Sequence, residues 1–187
     1  MVPLFDLWLA ILVAAVFVFV ASSVIHMCLP VHKGDFGKMP GEEAILAAMR
    51  EQGVTRGEYM FPCAASMKDC STPEMKAKFD RGPVGYVTVI PNGSFALGTS
   101  LGQWFAFSLL IGLFAGYAAT LGLGHDASFW DVFRLTGAAS FLGYAASSIQ
   151  NSIWKGVSWT VTSKFIGDGL VYALATGAAF GWLWPSA

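Results

Sequence analysis

The sequence predicts an all-α integral membrane protein: four transmembrane helices with small-xxx-small packing seams, and a small α+β extramembrane cap between the first and second. Three observations predict it. The 187 residues are 55% hydrophobic and 12% charged, with a mean hydropathy of +0.58, against roughly 25% charged in a soluble domain. Four apolar segments are long enough for a hydrocarbon core of about 30 Å. Small residues recur at every fourth position in three of those segments, as helix association in lipid requires, because lipid tails leave close van der Waals approach as the main attraction. Eleven basic residues against twelve acidic give a net charge of −1 and no basic field, so a nucleic-acid partner is excluded.

The first span, Leu7 to Ile25, contains no charge. Its leader carries Asp6 and neither Lys nor Arg, and no small-residue cleavage site follows, so it reads as a retained anchor rather than a signal peptide. Residues 1–26 are assigned to this helix, 27–100 to the cap, and 101–187 to the remaining three spans. Within the cap, Glu42 and Glu43 in a first turn, Ile45, Leu46 and Met49 on one face and Gly53 as the stop predict a helix. Ser71-Thr-Pro-Glu74 offers a capping box for a second helix ending at Arg81-Gly82. Tyr86 to Ile90, a Pro91-Asn92-Gly93 turn and Ser94 to Leu97 predict a hairpin feeding the second span. Such a cap is too small for a large core of its own.

The second span runs from about Trp104 to Leu123, the third from Val132 to Ile149 and the fourth from Ile166 to Trp184. Arg134, Thr136, Ser140, Ser147 and Ser148 dilute the third, which suits a helix surrounded by protein. Four spans put both termini on one face. Near the spans, the opposite face holds Lys33, Lys38, Arg81, Lys155 and Lys164 against Arg134 alone, which places the cap in the cytoplasm of a bacterial-type inner membrane. Trp8, Trp130, Trp182 and Trp184 fall at one water boundary, Trp104, Trp154 and Trp159 at the other, as interfacial anchors do.

The packing seams are Gly112 and Gly116 in the second span, Gly143 in the third, and Gly169, Ala173, Gly177 and Gly181 in the fourth. They suit internal contacts and the helices of another membrane protein or a second copy alike.

Two groups of residues carry candidate chemistry. Met60, Cys63, Met67 and Cys70 bring thioether and thiol groups together in the cap, a donor set that suits copper(I), although methionine is also an ordinary gap-filler. The Cys-x6-Cys spacing matches neither a redox pair nor a zinc ligand pair. The second group is polar: Asp168 in the first turn of the fourth span, Lys164 four positions earlier, Gln150, Asn151 and Lys155 at the end of the third span, and His26 at the end of the first. All are expected at one membrane boundary beneath the cap, where ionisable groups are costly and serve function; a plain Lys164–Asp168 pair at headgroup depth is the simpler alternative. Ser128 and Asp131 read as the start of the third helix.

There is no glycine-rich phosphate loop, no His-Glu-x-x-His, no Gly-x-Ser-x-Gly and no haem-attachment motif. With no catalytic signature and much packing surface, the leading expectation is a non-catalytic accessory or scaffold subunit of a larger membrane assembly or homo-oligomer. The alternatives are a small proton-coupled carrier or channel using Asp168, Lys164 and His26, and a copper-binding membrane protein.

Overall fold

The computed structural model describes residues 2–93 and 96–186. The protein is mostly helical with one two-stranded sheet, and divides into two compact units: Met1–Asp35 with Ala96–Ala187, and Phe36–Phe95.

In the larger unit, a 3-10 turn (Leu4–Leu7) leads into α1 (Trp8–Ser23), which ends in a π turn, Val24–Cys28. Then come α4 (Leu97–Thr120), α5 (Phe129–Phe141), α6 (Ser147–Lys155) and α7 (Trp159–Leu183). Three helical stretches are long and apolar enough to cross a membrane: Leu4–Cys28, Leu97–Thr120 and Trp159–Leu183. The expected third span differs. Its helical path is continuous but passes through a π turn, Leu142–Ala146, between α5 and α6. Its Thr136, Ser140 and Ser148 hydroxyls are accommodated by its own backbone. Thr136 and Ser140 are fully buried and donate to the carbonyls of Val132 and Thr136, each at 2.7 Å, the back-bonding that spares a hydroxyl an unpaired burial.

Helix α7 approaches α5 closely along the four-residue row. A Cβ added at Gly181 would lie 2.6 Å from the Phe129 ring, one at Gly177 2.8 Å from the Phe133 carbonyl, and one at Gly137 3.5 Å from the Ala173 carbonyl. The partners step by four residues along both helices in opposite directions. Gly169 faces Ala145 inside the π turn at 2.7 Å, Gly143 faces Ile111 at 2.6 Å, Gly116 meets Phe180 and Leu7, and Gly112 meets Ile11. Near the N-terminus of α1, Val2, Leu7, Ala10, Ala14, Val132, Ala179 and Phe180 form an apolar core.

The smaller unit contains α2 (Glu42–Glu51), β1 (Gly57–Phe61), α3 (Pro73–Arg81) and β2 (Gly85–Val89). The hairpin expectation is corrected: β2 pairs antiparallel with β1, from Gly57 opposite Val89 to Phe61 opposite Gly85. Of the expected second strand, Ser94 and Phe95 lie outside the described residues, and Leu97 already belongs to α4. Sequence reading missed β1 because Tyr59-Met60-Phe61 lacks tight turn residues beside a partner strand. The pairing instead spans all of α3, with the Phe61 ring lying over Gly85, 3.3 Å from where its Cβ would be. The cap of α3 is Thr72, whose Oγ1 accepts from the Met75 amide at 3.3 Å, rather than Ser71. Pro73 at the first helical position holds the residue before it extended. None of the described residues of this unit is fully buried.

Candidate functional site

Where the C-terminal end of α1 meets α4 and α7, five ionisable side chains form one network. The π turn ends α1, and the chain then makes a 3-10 turn, Pro30–His32. Gly34, with φ +90°, lets it fold back so that Asp35 lies beside His32. His32 Nδ1 is 2.7 Å from Asp35 Oδ2, and its Nε2 is 2.9 Å from Asp168 Oδ2. Lys164 donates to Asp35 Oδ1. His26 stacks on His32 with ring centroids 4.4 Å apart and planes 4° from parallel, and its Nε2 is 3.8 Å from Asp168 Oδ2. The Asp168 side chain is 7% exposed and that of Asp35 4%. Lys164, and next to it His32, hold the Asp35 carboxyl below the usual carboxylate range.

The two imidazoles are fixed by their Nδ1 atoms. His26 Nδ1 is 3.0 Å from the Ser22 carbonyl, which can only accept, so that nitrogen carries the hydrogen and donates. The Asp35 carboxylate fixes His32 Nδ1–H in the same way. Ser22 also supports the wall: its hydroxyl accepts from Trp104 Nε1 at 2.9 Å and donates to the Phe19 carbonyl.

Beside the network lies a cavity of about 370 Å³, lined by Asp168, His26 and Ser22 together with the aromatic rings of Trp104, Tyr144, Phe165 and Tyr172. Its aromatic rings brace one another, Trp104 against Tyr172 at 5.6 Å and Tyr144 against Tyr172 at 5.5 Å. A buried carboxylate at the edge of an aromatic enclosure suits an amphipathic small molecule. A larger hollow of about 590 Å³ is bounded by one continuous stretch at the start of α2, Lys38 to Ala44.

Of the sequence-derived polar set, His26, Lys164 and Asp168 come together, while Gln150, Asn151 and Lys155 lie exposed on α6 and line neither the network nor the cavity. The Asn151 carbonyl instead accepts from the Val157 amide in the turn at Gly156, whose φ is +68°. Two expectations about Asp168 are corrected. It sits in the third turn of α7 rather than the first, because Ser158 caps the helix and starts it earlier. Lys164 pairs with Asp35, not with Asp168. His32 and Asp35 were missed because the boundary of the first span was drawn at His26. Their signal was the His-x5-His-x2-Asp run directly after an uncharged span.

In the cap, Met60 lies on β1, Cys70 in the 3-10 turn Asp69–Ser71, and Cys63 and Met67 are exposed in the segment between. Cys28, Cys63 and Cys70 are free thiols. Among the described residues, the His, Cys, Asp and Glu ligand atoms that converge in a group of three are those of His26, His32 and Asp168.

No family model, characterised protein or solved structure matches the chain.

Proposed function

We propose that this is a four-crossing inner-membrane protein and that its working part is the site at His26 and Asp168, which binds a small amphipathic solute as a carrier does. The observation that carries this reading is the convergence of the buried Asp168 carboxylate with an aromatic-walled cavity of about 370 Å³ between α1, α4 and α7. The apolar body of the solute packs on Trp104, Tyr144, Phe165 and Tyr172, and its polar head meets His26 and Asp168. Support for the fourth crossing is the continuous helical path from Phe129 to Lys155, in which the buried Thr136 and Ser140 bond to their own helix and the buried Ser152 to Thr162 of α7. The excess of Lys and Arg on the loop face supports a cytoplasmic cap, and a label reaching a cysteine at position 68 only from outside the cell would reverse it.

The test is native mass spectrometry after mild extraction from the source membrane, with flux into proteoliposomes of whatever is carried. The wild type is expected to hold a small-molecule adduct that Trp104→Ala and Asp168→Asn lose, and to move that compound. Identical spectra for all three proteins would sink the reading.

The accessory-subunit reading retains one specific observation. Gly98 and Gly102 are spaced four apart on α4, and a Cβ added at either meets nothing within 4 Å, leaving a smooth strip for a helix of another protein or a second copy. A strictly monomeric particle in native lipid would count against it.

A further inference from the structure

We propose that His26, His32 and Asp168 hold one divalent first-row transition-metal ion, with Asp35 as the residue that positions His32. This rests on the reading above only in taking the same place as a binding centre, and it names what that centre holds. One nitrogen of each histidine and one Asp168 oxygen all lie within 4.8 Å of one another. Bonds of about 2.0–2.2 Å to an ion at near-tetrahedral angles set neighbouring donors roughly 3–3.5 Å apart. The His32–Asp168 spacing of 2.9 Å is already close to that, and His26 has to close from 3.8 Å. Its side chain is 41% exposed and its ring is held by the Ser22 carbonyl and by stacking on His32, so it has to tilt out of that stack to turn its Nε2 to the ion.

The surrounding groups make the case stronger than proximity alone. Each imidazole gives its Nδ1–H to a fixed acceptor, the Ser22 carbonyl for His26 and the Asp35 carboxylate for His32. That leaves both Nε2 atoms as the donors facing Asp168. A carboxylate or carbonyl behind a ligating histidine is the arrangement that fixes its tautomer and raises its basicity. Lys164 in turn neutralises Asp35. Without an ion, His32 Nε2–H donates to the Asp168 carboxylate at 2.9 Å, and the ion takes the place of that proton between the two side chains. Two imidazoles and one carboxylate favour zinc, iron, cobalt or nickel over calcium or magnesium, which take oxygen ligands. Three protein donors leave a position open. His26 and Asp168 both line the cavity, so the polar head of a solute there reaches the ion.

The full chain in detergent, stripped with chelator and given no organic solute, is titrated with Zn²⁺ and with Co²⁺. Saturable one-to-one binding is expected, with a zinc-edge absorption spectrum showing nitrogen and oxygen neighbours and no sulfur. His32→Gln and Asp168→Asn should abolish it, Asp35→Asn should weaken it by about 10- to 100-fold, and Cys63→Ser with Cys70→Ser should leave it unchanged. His26→Ala removes the most exposed ligand, and its metal-free melting curve should match that of the wild type, which separates lost binding from lost folding. No saturable uptake, sulfur in the first shell, or affinity unchanged in His26→Ala and Asp168→Asn overturns the proposal. Because no solute is present, that failure is distinct from failure of the cavity to carry an adduct.

Discussion

The two ends of the larger helical unit are built from opposite materials. At the end where α1 begins, Leu7, Val132, Ala179 and Phe180 are all completely buried, and glycines bring the backbones of α5 and α7 within reach of one another's atoms. At the other end, α1 closes in a π turn, and His26, His32, Asp35, Lys164 and Asp168 fill the gap with charge beside an open cavity. Apolar interlocking has one tight solution and resists change. A polar network with an adjoining cavity surrenders packing in return for groups that can bind. The difference teaches where stability and chemistry reside in this chain: the first end holds the fold, and the second is free to do something else.

The largest expected effect breaks the first end. Gly177→Leu would drive a side chain into the Phe133 carbonyl, 2.8 Å from the first added atom. A backbone carbonyl in a packed helix cannot turn aside, so α5 and α7 must separate. A loss of about 3 kcal/mol or more is expected, read as the collapse of the reversible unfolding transition in mixed micelles. Leu170→Ala, on a half-exposed position of the same helix, should cost no more than about 0.5 kcal/mol. If the two variants unfold alike, close approach at the glycine row is not what holds these helices.

A smaller effect is expected at the second end. Asp168→Ala deprives His32 Nε2 of its acceptor at 2.9 Å, and a hydrogen bond to a charged group is worth about 1.5–3 kcal/mol. The unfolding free energy should drop by that amount while the transition stays cooperative, and in histidine NMR the His32 ring should lose the hydrogen-bonded proton signal of Nε2 and keep that of Nδ1. A collapse as complete as that of Gly177→Leu would mean that the network is the main support of the fold, and the contrast between the ends would vanish.

The two ends were also unequally legible in the sequence. The glycine row of α7 was visible because four-residue spacing is a local pattern and a helix converts it directly into a face. The network was visible only in part. Asp168 and Lys164 stand out because charge is rare in apolar segments. His32 and Asp35 do not, because they lie in a polar stretch where nothing distinguishes a side chain folded back onto a helix from one left in water. What brings them in is the reversal at Gly34 and a contact with α7 made 136 residues away along the chain. The sheet was misread for the same reason. Its partner strand lies beyond α3, and no short-range turn announces a pairing of that kind. Similarly, the π turn that interrupts α5 and α6 has no local signature, since Leu142 to Ala146 reads as ordinary helix.

The smallest expected effect compares the two serine caps. Ser128 starts α5 at the apolar end. Its hydroxyl accepts from the Asp131 amide at 3.3 Å and donates to Asp131 Oδ2 at 2.6 Å, so one side chain meets both the helix backbone and the first-turn carboxylate. Ser158 starts α7 at the polar end with one such contact, from the Thr160 amide at 3.3 Å. Ser128→Ala should therefore cost about 1 kcal/mol and Ser158→Ala less, measured by the same unfolding transition. The order has a second physical reason. Helix α5 has 13 residues before the π turn, so a frayed first turn is a larger share of it than in the 25-residue α7, and that turn carries Phe129, against which Gly181 packs. If Ser158→Ala proves the costlier, the start of α7 is held more firmly than its single cap implies, and the polar end contributes to the fold through its helix as well as through its charges.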